Sequence, residues 1–406
     1  TTEGIDQGDT RISEAELERL HISPYYPAID NGVLTVMVSF NSWNGDKCHG
    51  HQYLLSYVLK ERMNFGGFII SDCDGIDYLS DSYFEAIAKG TNAGIDMFMV
   101  SEHWQPFIDH LTHHVVQGTV PMTRIDDAVR RILRVKFAFG LFDKPRPKAR
   151  RWSNHPSFGS EAHREVACEA VRKSLVLLKN EEQTLPLSKG QRILVAGKSA
   201  DNIGYQCGGF TVAWQGTSGN DFVLGGTSIW QGIHQNAPNA TLSVDGNGED
   251  ADPALHDVAV VVIGEKPYAE GMGDIRTGDD VIVQAGSQIN GALKVLEPYG
   301  DSLTLADLHP EDLQTINNIT AKGLPVVTVL VSGRPLVITQ ELAASSAFVA
   351  AWLPGSEGAG VADVLFGDHA FSGKLSFSWP RSFTTNCNVG DPAYDQLFPL
   401  GYGLVC

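Results

Sequence analysis

Short apolar runs separated by single helical segments are the feature that most constrains the fold of this chain. In the first third of the sequence the runs lie at residues 32–41, 67–72 and 94–100. The helical patterns lie at residues 52–63, 83–92, 103–117 and 125–139. Thr123 is the expected cap of the last helix, and Gly140 its end. Single helices between consecutive strands predict parallel βαβ units, and therefore an α/β protein.

A second α/β region is predicted from residue 159 onward. Its expected strands lie at residues 192–196, 258–263, 326–331 and 348–352. A long helix is predicted over residues 161–179, and residues 381–406 read as a loop-like tail. The glycine-rich residues 204–226 predict a long loop, which within a compact domain is usually functional or mobile. Residues 144–158, rich in Pro and Arg, read as a solvated linker, with an anion site as the alternative.

The composition limits the classes of partner. The net charge is 30 − 48 = −18, which argues against nucleic acid or an anionic membrane as the main partner and suits a neutral ligand such as a sugar. Apolar residues make up 43% of the 406 residues, enough for a large core. No apolar run approaches the length of a membrane span. The first residues also lack the basic region and apolar core of a signal peptide.

No metal site and no cofactor are predicted. The chain has six cysteines, none in a CxxC pair, so a zinc site or a disulfide framework is not expected, although one disulfide remains compatible with the sequence. His49 and His51 could suggest a metal pair. Two histidines two positions apart without a nearby carboxylate are weak support for one.

Two acidic segments about 200 residues apart carry the candidate chemistry. Residues 66–75, GGFIISDCDG, end an apolar run at Asp72, and residues 264–274, GEKPYAEGMGD, follow another such run and contain Glu265 and Glu270. Carboxylates at strand ends are usual active-site groups in α/β enzymes. Two of them facing one pocket would form the nucleophile and acid/base pair of a glycosidase. The alternative for Asp72 is a helix cap or a loop-capping residue, with Asp74 as a rival nucleophile.

The chain resembles glycoside hydrolase family three, the β-glucosidase and exo-β-glucanase family, over essentially its whole length. The motifs that carry this resemblance are VMVSFNSWNG at 36–45, GGFIISD at 66–72, AVRRILRVKFAFGLFD at 128–143, VRKSLVLLKNE at 171–181, QCGGFTVAWQG at 206–216, GEKPYAEGMGD at 264–274, SGRPL at 332–336 and AAWLPGSEGAGVADVLFGD at 350–368. So many motifs in one order make the resemblance specific.

The resemblance implies a (β/α)8-like barrel joined to an α/β sandwich. Residues 1–143 would be the C-terminal part of the barrel, residues 144–158 the linker, and residues 159–406 the sandwich with its tail. Three strands precede the linker, whereas a full barrel needs eight strands and about 250 residues. We therefore expect a second chain, an oligomer or a longer protein to complete the barrel, because three strands alone leave unpaired edges.

The resemblance also implies a retaining β-glucosidase or exo-β-glucanase acting on a β-linked glucoside or oligosaccharide, and it favours a secreted or periplasmic location. Asp72 matches the family nucleophile, and Glu270 matches the acid/base in preference to Glu265. The alternative is an incomplete, non-catalytic fragment, since the absent barrel part supplies an Asp, a Lys-His pair and an Arg in the family. A β-xylosidase or N-acetylglucosaminidase is a further, weaker reading.

Five further residues are expected to line the sugar site. Cys73 and Phe210 stand where the family pattern carries tryptophans, which implies a weaker or narrower clamp and an altered preference for the leaving group. Phe40, Trp43 and Met99 are predicted to line the same pocket, with core packing as the equal alternative.

Overall fold

The computed structural model describes residues 4–275, 282–283, 295–296, 299–383 and 387–406. The described residues form two compact units. One contains Thr1–Ser153 together with residues 282–283 and 295–296, and the other consists of Asn154–Ile275 and Tyr299–Cys406. The first passage of the chain from one unit to the other thus lies inside the segment predicted to be a linker. Among the described residues, every helix is too short or too polar to cross a lipid bilayer.

The first unit is built on a short parallel strand pair with helices around it. Its elements are β1 (Asp9–Thr10), α1 (Glu14–Leu17), a π-helix (Glu18–Ile22), α2 (Tyr25–Asp30), β2 (Thr35–Met37), β3 (Ser42–Trp43), β4 (Asp46–Lys47), a 3-10 helix (Cys48–Gly50), a π-helix (Tyr53–Arg62), β5 (Phe68–Ile70), a 3-10 helix (Gly75–Leu79), α3 (Tyr83–Ala93), α4 (Trp104–Val116), α5 (Met122–Ala138) and a 3-10 helix (Pro147–Ala149). Strands β2 and β5 are parallel. Strand β3 pairs with β1 in parallel and with β4 antiparallel.

The predicted strand at residues 94–100 is not regular in the structure. It meets β5 through the single bridge between Ile70 and Met97. Asp96 disturbs the ladder, because its buried carboxylate accepts the N–H of Ile69 at 2.8 Å in place of a backbone carbonyl. Lys60 reaches the other oxygen of this carboxylate at 2.7 Å, which compensates the buried charge.

The predicted cap of the last helix in this unit is wrong. Helix α5 begins at Met122, and Pro121 rather than Thr123 precedes it in extended conformation. The carbonyl of Pro121 accepts the N–H of Arg124 at 2.9 Å, so the first turn closes one residue before Thr123 could cap it.

From residue 154 onward the chain forms a doubly covered sheet. The elements are α6 (Glu161–Ser174), β6 (Val176–Asn180), β7 (Ile193–Ala196), α7 (Ile203–Cys207), α8 (Ile229–Asn236), β8 (Thr241–Leu242), β9 (Val258–Gly264), a 3-10 helix (Glu270–Gly273), β10 (Ile282–Val283), β11 (Val295–Leu296), α9 (Leu305–Leu308), α10 (Pro310–Thr320), β12 (Val326–Val331), α11 (Thr339–Ala344), β13 (Ala347–Trp352), α12 (Gly358–Leu365), β14 (Trp379–Pro380) and β15 (Gln396–Phe398). Six of these strands form one sheet in the second unit, in the order β6-β13-β12-β9-β7-β8, whereas β10 and β11 pair with each other and belong to the first unit. The strands of the six-stranded sheet are parallel except for β6.

The long helix predicted over residues 161–179 is shorter in the structure. Helix α6 ends at Ser174, and the residues after it form β6. Strand β6 pairs antiparallel with β13, and its side chains alternate between the two faces of the sheet. Leu177 joins the core on one face, while Val176 and Leu178 join the core on the other. Because both of its faces are buried, this segment forms a strand although its sequence pattern is helical.

Helices cover both faces of the six-stranded sheet. In β9, residues Val258, Val260 and Val262 pack on the face that carries α6, α8 and α12. The alternate residues Ala259, Val261 and Ile263 pack on the face that carries α9 and α10. This period-two alternation with both faces buried is what a continuous apolar run encodes in a parallel sheet. The carboxyl ends of β7, β9 and β12 share one edge, the usual ligand side of such sheets.

Candidate active site

The end of β5 fixes Asp72 in the first unit. Ser71 is buried, and its N–H donates to the carbonyl of Met97 at 2.9 Å. The Ser71 hydroxyl accepts the N–H of Met99 at 2.7 Å. Both contacts hold the strand end against the neighbouring segment, so the backbone of Asp72 has little freedom.

Asp72 itself is half-buried and hydrogen-bonded through its backbone and its side chain. Its Oδ1 accepts the N–H of Cys73 at 2.7 Å, and its own N–H donates to Nε2 of His49 at 3.0 Å. Burial raises the pKa of the Asp72 carboxyl above its usual value. The hydrogen bond from Cys73 opposes this shift, and the charge of Asp6 adds to it. The carboxylate is therefore more basic than an exposed aspartate.

His49 contacts the backbone of Asp72 just beyond the end of β5. It is fully buried, and burial together with the charge of Lys47 lowers its pKa to about 4. The ring is neutral above that pH, which leaves Nε2 free to accept the N–H of Asp72. Gly75 permits this contact, because a Cβ at that position would lie 2.4 Å from Nε2 of His49. Within the described ranges no three His, Cys, Asp or Glu side chains cluster as a metal site would require.

Asp74, the rival carboxylate, binds the loop. It is buried and has a left-handed backbone conformation, with φ at 52°. Its Oδ1 accepts the N–H of Ser101 at 3.0 Å, and its Oδ2 accepts the hydroxyl of the same residue. Its N–H donates to the carbonyl of Met99 at 2.9 Å. These contacts are typical of a residue that shapes a loop.

The predicted lining residues of this unit have different surroundings. The ring of Phe40 lies 5.5 Å from that of His49, between centroids, and Met99 contacts Ser71, so both adjoin the Asp72 segment. Cys73 is exposed directly after Asp72. Trp43 has other partners: its indole N–H donates to the carbonyl of Ile12 at 3.0 Å, and its ring packs 5.4 Å from that of His51.

Glu265, the rival acid/base in the second unit, is buried in an ion pair at the end of β9. Its Oε1 accepts Nε and Nη2 of Arg334 at 2.9 and 2.7 Å, and its Oε2 accepts the hydroxyl of Tyr268 at 3.0 Å. The guanidinium also lies 4.6 Å over the ring of Tyr268 and donates to the carbonyl of Gly273. Glu265 and Arg334 thus fasten the loop that follows β9.

Glu270 occupies that loop and has an exposed side chain. It begins the short 3-10 turn Glu270–Gly273 with φ at 53°, a left-handed conformation that is uncommon for residues other than glycine. Such a conformation persists only where the surroundings enforce it. The preceding Ala269 is buried and hydrogen-bonded on both sides by the amide of Gln215.

Phe210 lies on the glycine-rich loop that packs against the Glu270 loop. Its side chain is 69% exposed, and its φ is 57°. Its N–H donates to the carbonyl of Trp214 at 2.9 Å, which closes a tight turn. The turn presents Phe210, Val212 and Trp214 to solvent.

Three supporting residues are not predicted from the sequence in the roles that they have here. The sequence suggests only a weakly supported metal pair for His49, and Gln215 and Arg334 occur there only within the quoted motifs. Each acts through a residue distant in sequence: 23 positions for His49 and Asp72, 54 for Gln215 and Ala269, and 69 for Arg334 and Glu265. Nothing in the local pattern predicts such pairings.

Comparison with known protein families shows to which family the chain belongs. The profile of the glycosyl hydrolase family 3 C-terminal domain matches residues 175–405, and that of the family's N-terminal domain matches residues 1–135. The chain belongs to glycosyl hydrolase family 3. The resemblance inferred from the motifs is therefore confirmed, as is the α/β fold class.

Several known proteins are similar to the chain over nearly all of its residues. It is 30% identical to a periplasmic β-glucosidase of Salmonella typhimurium, over 99% of the chain and 56% of that protein. It is 32% identical to a lysosomal β-glucosidase of Dictyostelium discoideum, over 99% of the chain and 50% of that protein. The solved exo-1,3/1,4-β-glucanase of a Pseudoalteromonas species is 43% identical with a TM-score of 0.86, over 99% of the chain and 48% of that structure. The chain spans about half the length of these relatives.

Proposed function

We propose that the protein is a retaining glycoside hydrolase that releases terminal β-linked glucose from β-glucosides or β-glucans. The observation that carries this proposal is the placement of Asp72. Its carboxylate lies at a rigid strand end, is made more basic by burial, and accepts the N–H of Cys73. A nucleophilic carboxylate needs this combination of fixed position and retained basicity. Membership of family 3, with its β-glucosidase and exo-glucanase relatives, supports the same reaction class.

The reaction would be a double displacement. Asp72 attacks the anomeric carbon and forms a glycosyl ester, while Glu270 donates its proton to the oxygen of the leaving group. Glu270 then takes a proton from water, the water oxygen attacks the anomeric carbon, and the Asp72 carboxylate leaves. A retaining mechanism requires the two carboxyl groups to come within about 5–5.5 Å of each other.

The nucleophile and the acid/base would belong to two different domains. Residues 1–143 would form the partial barrel with the nucleophile, and residues 159–406 the sandwich with the acid/base, joined by residues 144–158. The expected sugar-lining side chains are those of Phe40, Trp43, Cys73, Met99 and Phe210.

A further polypeptide is expected to complete the barrel part. Within the described residues β2 pairs only with β5, and Met37 on β2 is exposed. An apolar groove of about 180 Å³ lies beside it, lined by residues that include Leu17, Tyr25 and Val36. We propose that a second chain, an oligomer or a longer form of this chain covers this edge.

The test is turnover of 4-nitrophenyl β-D-glucopyranoside together with trapping by 2,4-dinitrophenyl 2-deoxy-2-fluoro-β-D-glucopyranoside. We expect the trapped fluoroglucosyl group on the peptide that contains Asp72, and loss of turnover in Asp72→Ala. Asp74→Asn is the matched control, since it changes the neighbouring carboxylate. Labelling of Asp74, or turnover that survives in Asp72→Ala, would refute the assignment. If neither the wild type nor any variant turned over the substrate, the alternative of an incomplete, non-catalytic fragment would be favoured.

A further inference from the structure

The side-chain amide of Gln215 forms two hydrogen bonds with Ala269, the residue that precedes Glu270. Its Oε1 accepts the N–H of Ala269 at 2.8 Å, and its Nε2 donates to the carbonyl of Ala269 at 3.2 Å. We propose that Gln215 is a positioning residue that holds Glu270 in the geometry needed for proton transfer. This inference rests on the proposed role of Glu270 as acid/base.

Two hydrogen bonds to one residue fix more than its position. The N–H and the carbonyl of Ala269 belong to the two peptide planes on either side of its Cα, so binding both fixes the relative orientation of those planes. Ala269 is extended, with φ at −139° and ψ at 149°, and Glu270 follows with φ at 53°. The second plane contains the N–H of Glu270. Its orientation, together with the φ of Glu270, therefore sets the direction in which the Glu270 side chain leaves the backbone.

The loop that carries Gln215 is itself held against the Glu270 loop. A Cβ on Gly209 would lie 2.2 Å from the carbonyl oxygen of Tyr268. A Cβ on Gly216 would lie 2.5 Å from the Cβ of Pro267. The glycine-rich loop thus packs closely on the residues that precede Glu270, at Gly209 and at Gly216, next to Gln215.

The other end of the Glu270 turn has its own anchor. Arg334 donates to the carbonyl of Gly273 and is held by the buried carboxylate of Glu265. Glu270 therefore lies between a fixed Ala269 and a fixed Gly273. Removing the Gln215 amide frees one end of the turn and leaves the other intact, so the loop is expected to shift rather than to unfold.

A displaced general acid has a recognisable kinetic signature. General acid–base catalysis contributes roughly 10²–10⁴-fold, and a misplacement of about 1 Å can cost about 10²-fold. The loss affects substrates whose leaving group must be protonated, such as cellobiose or laminaribiose. It spares 2,4-dinitrophenyl β-D-glucopyranoside, whose leaving group departs as a stable anion.

The test is Gln215→Met, which keeps the length of the side chain and removes both hydrogen bonds. We expect kcat/KM for cellobiose and laminaribiose to fall by roughly 10–100-fold, and that for the dinitrophenyl glucoside to stay within a few fold. Azide should accelerate turnover of the dinitrophenyl glucoside by Gln215→Met and yield β-glucosyl azide, since azide needs no base.

Gln206→Met, in the short helix α7 at the start of the glycine-rich segment, is the matched control. The buried Gln206 amide binds the backbone of Thr227, Ile229 and Gly355, and none of these residues belongs to the Glu270 loop. Its loss should lower stability without any dependence on the leaving group. Equal losses on all substrates in Gln215→Met, or the same pattern in Gln206→Met, would overturn the proposal.

Two further measurements separate this inference from the proposed function. Glu270→Ala should show the same dependence on the leaving group in stronger form. If it does and Gln215→Met does not, the positioning role fails while the acid/base assignment stands. If Glu270→Ala shows none, the acid/base assignment itself fails. Amide hydrogen exchange gives a readout without turnover: the N–H of Ala269 should exchange faster in Gln215→Met, and unchanged protection would refute the positioning role.

Discussion

Glu341 provides the sharpest prediction about stability. It lies in α11, is 1% exposed, and its buried Oε1 has no hydrogen-bond partner within the described residues. Burial raises the pKa of this carboxyl from 4.5 to about 7, and the charge of Asp307 adds to the shift. The folded protein therefore keeps a proton on Glu341 that the unfolded chain releases near pH 4.5.

The sign of the pH dependence follows from this difference. Between pH 4.5 and about 7 the folded state binds more protons than the unfolded state, so the free energy of unfolding falls as pH rises and levels off above pH 7. The pKa difference of about 2.5 units, at 1.36 kcal/mol per unit, corresponds to a loss of about 3 kcal/mol. Glu341→Gln removes the ionisation, so it should be more stable than the wild type at pH 8 and similar to it at pH 4.5.

The assay is differential scanning calorimetry of both proteins from pH 4.5 to 8.5. For a unit of this size about 3 kcal/mol corresponds to a difference in Tm of roughly 6–12 °C at pH 8. Asp312, whose pKa burial also raises to about 7, contributes equally to both proteins and cancels in the difference. Glu181→Gln, which removes an exposed carboxylate, controls for the change in net charge. A variant that follows the wild type at every pH would refute the reasoning.

Three further predictions concern the candidate active site. His49→Leu leaves the N–H of Asp72 without its acceptor at 3.0 Å, so stability should fall by about 1–3 kcal/mol and kcat should fall. His49→Gln, which offers an acceptor, should retain more activity, and equal rates in the two variants would contradict the contact. Arg334→Met leaves the buried Glu265 carboxylate unpaired and should cost about 3–5 kcal/mol in urea unfolding, whereas adding Glu265→Gln should recover most of it. A double variant no more stable than Arg334→Met would argue against this ion pair. Because burial raises the pKa of Asp72, the apparent pKa of the acid limb in the pH profile of kcat/KM should lie above 3.8, the usual value for an aspartate. A limb at or below 3.8 would show that the carboxylate is not perturbed as described.

The sequence predicts those elements whose signal is local. The run at Val258–Gly264 forms a central strand because its residues are apolar at every position and both faces of the sheet are buried. The predicted helix ending at residue 179 fails for a related reason. Residues 176–178 fit a helical pattern, and only their pairing with β13 makes them a strand. Strand pairing is a tertiary contact that the local sequence does not encode, and here it overrides the predicted helix.

The candidate site shows the same division. Asp72 could be proposed because it ends an apolar strand, whereas the acceptor role of His49 depends on a 23-residue separation and on the missing side chain of Gly75. The irregular segment near Asp96 could not be predicted, because a carboxylate there replaces a backbone acceptor. Side chains that bind distant backbone groups leave no periodic trace in the sequence.

In the glycine-rich loop, the residues that contact the Glu270 loop are different from the residues that are exposed to solvent. Gly209, Gln215 and Gly216 face the Glu270 loop, while Phe210 and Val212 project into solvent. Diversity can therefore accumulate at positions 210 and 212 without passing through variants that disturb the anchors. For directed evolution, a library restricted to these two positions would explore new recognition surfaces at little risk to the rest of the loop. Val212, a β-branched residue with φ at 66°, even leaves room for substitutions that relieve strain.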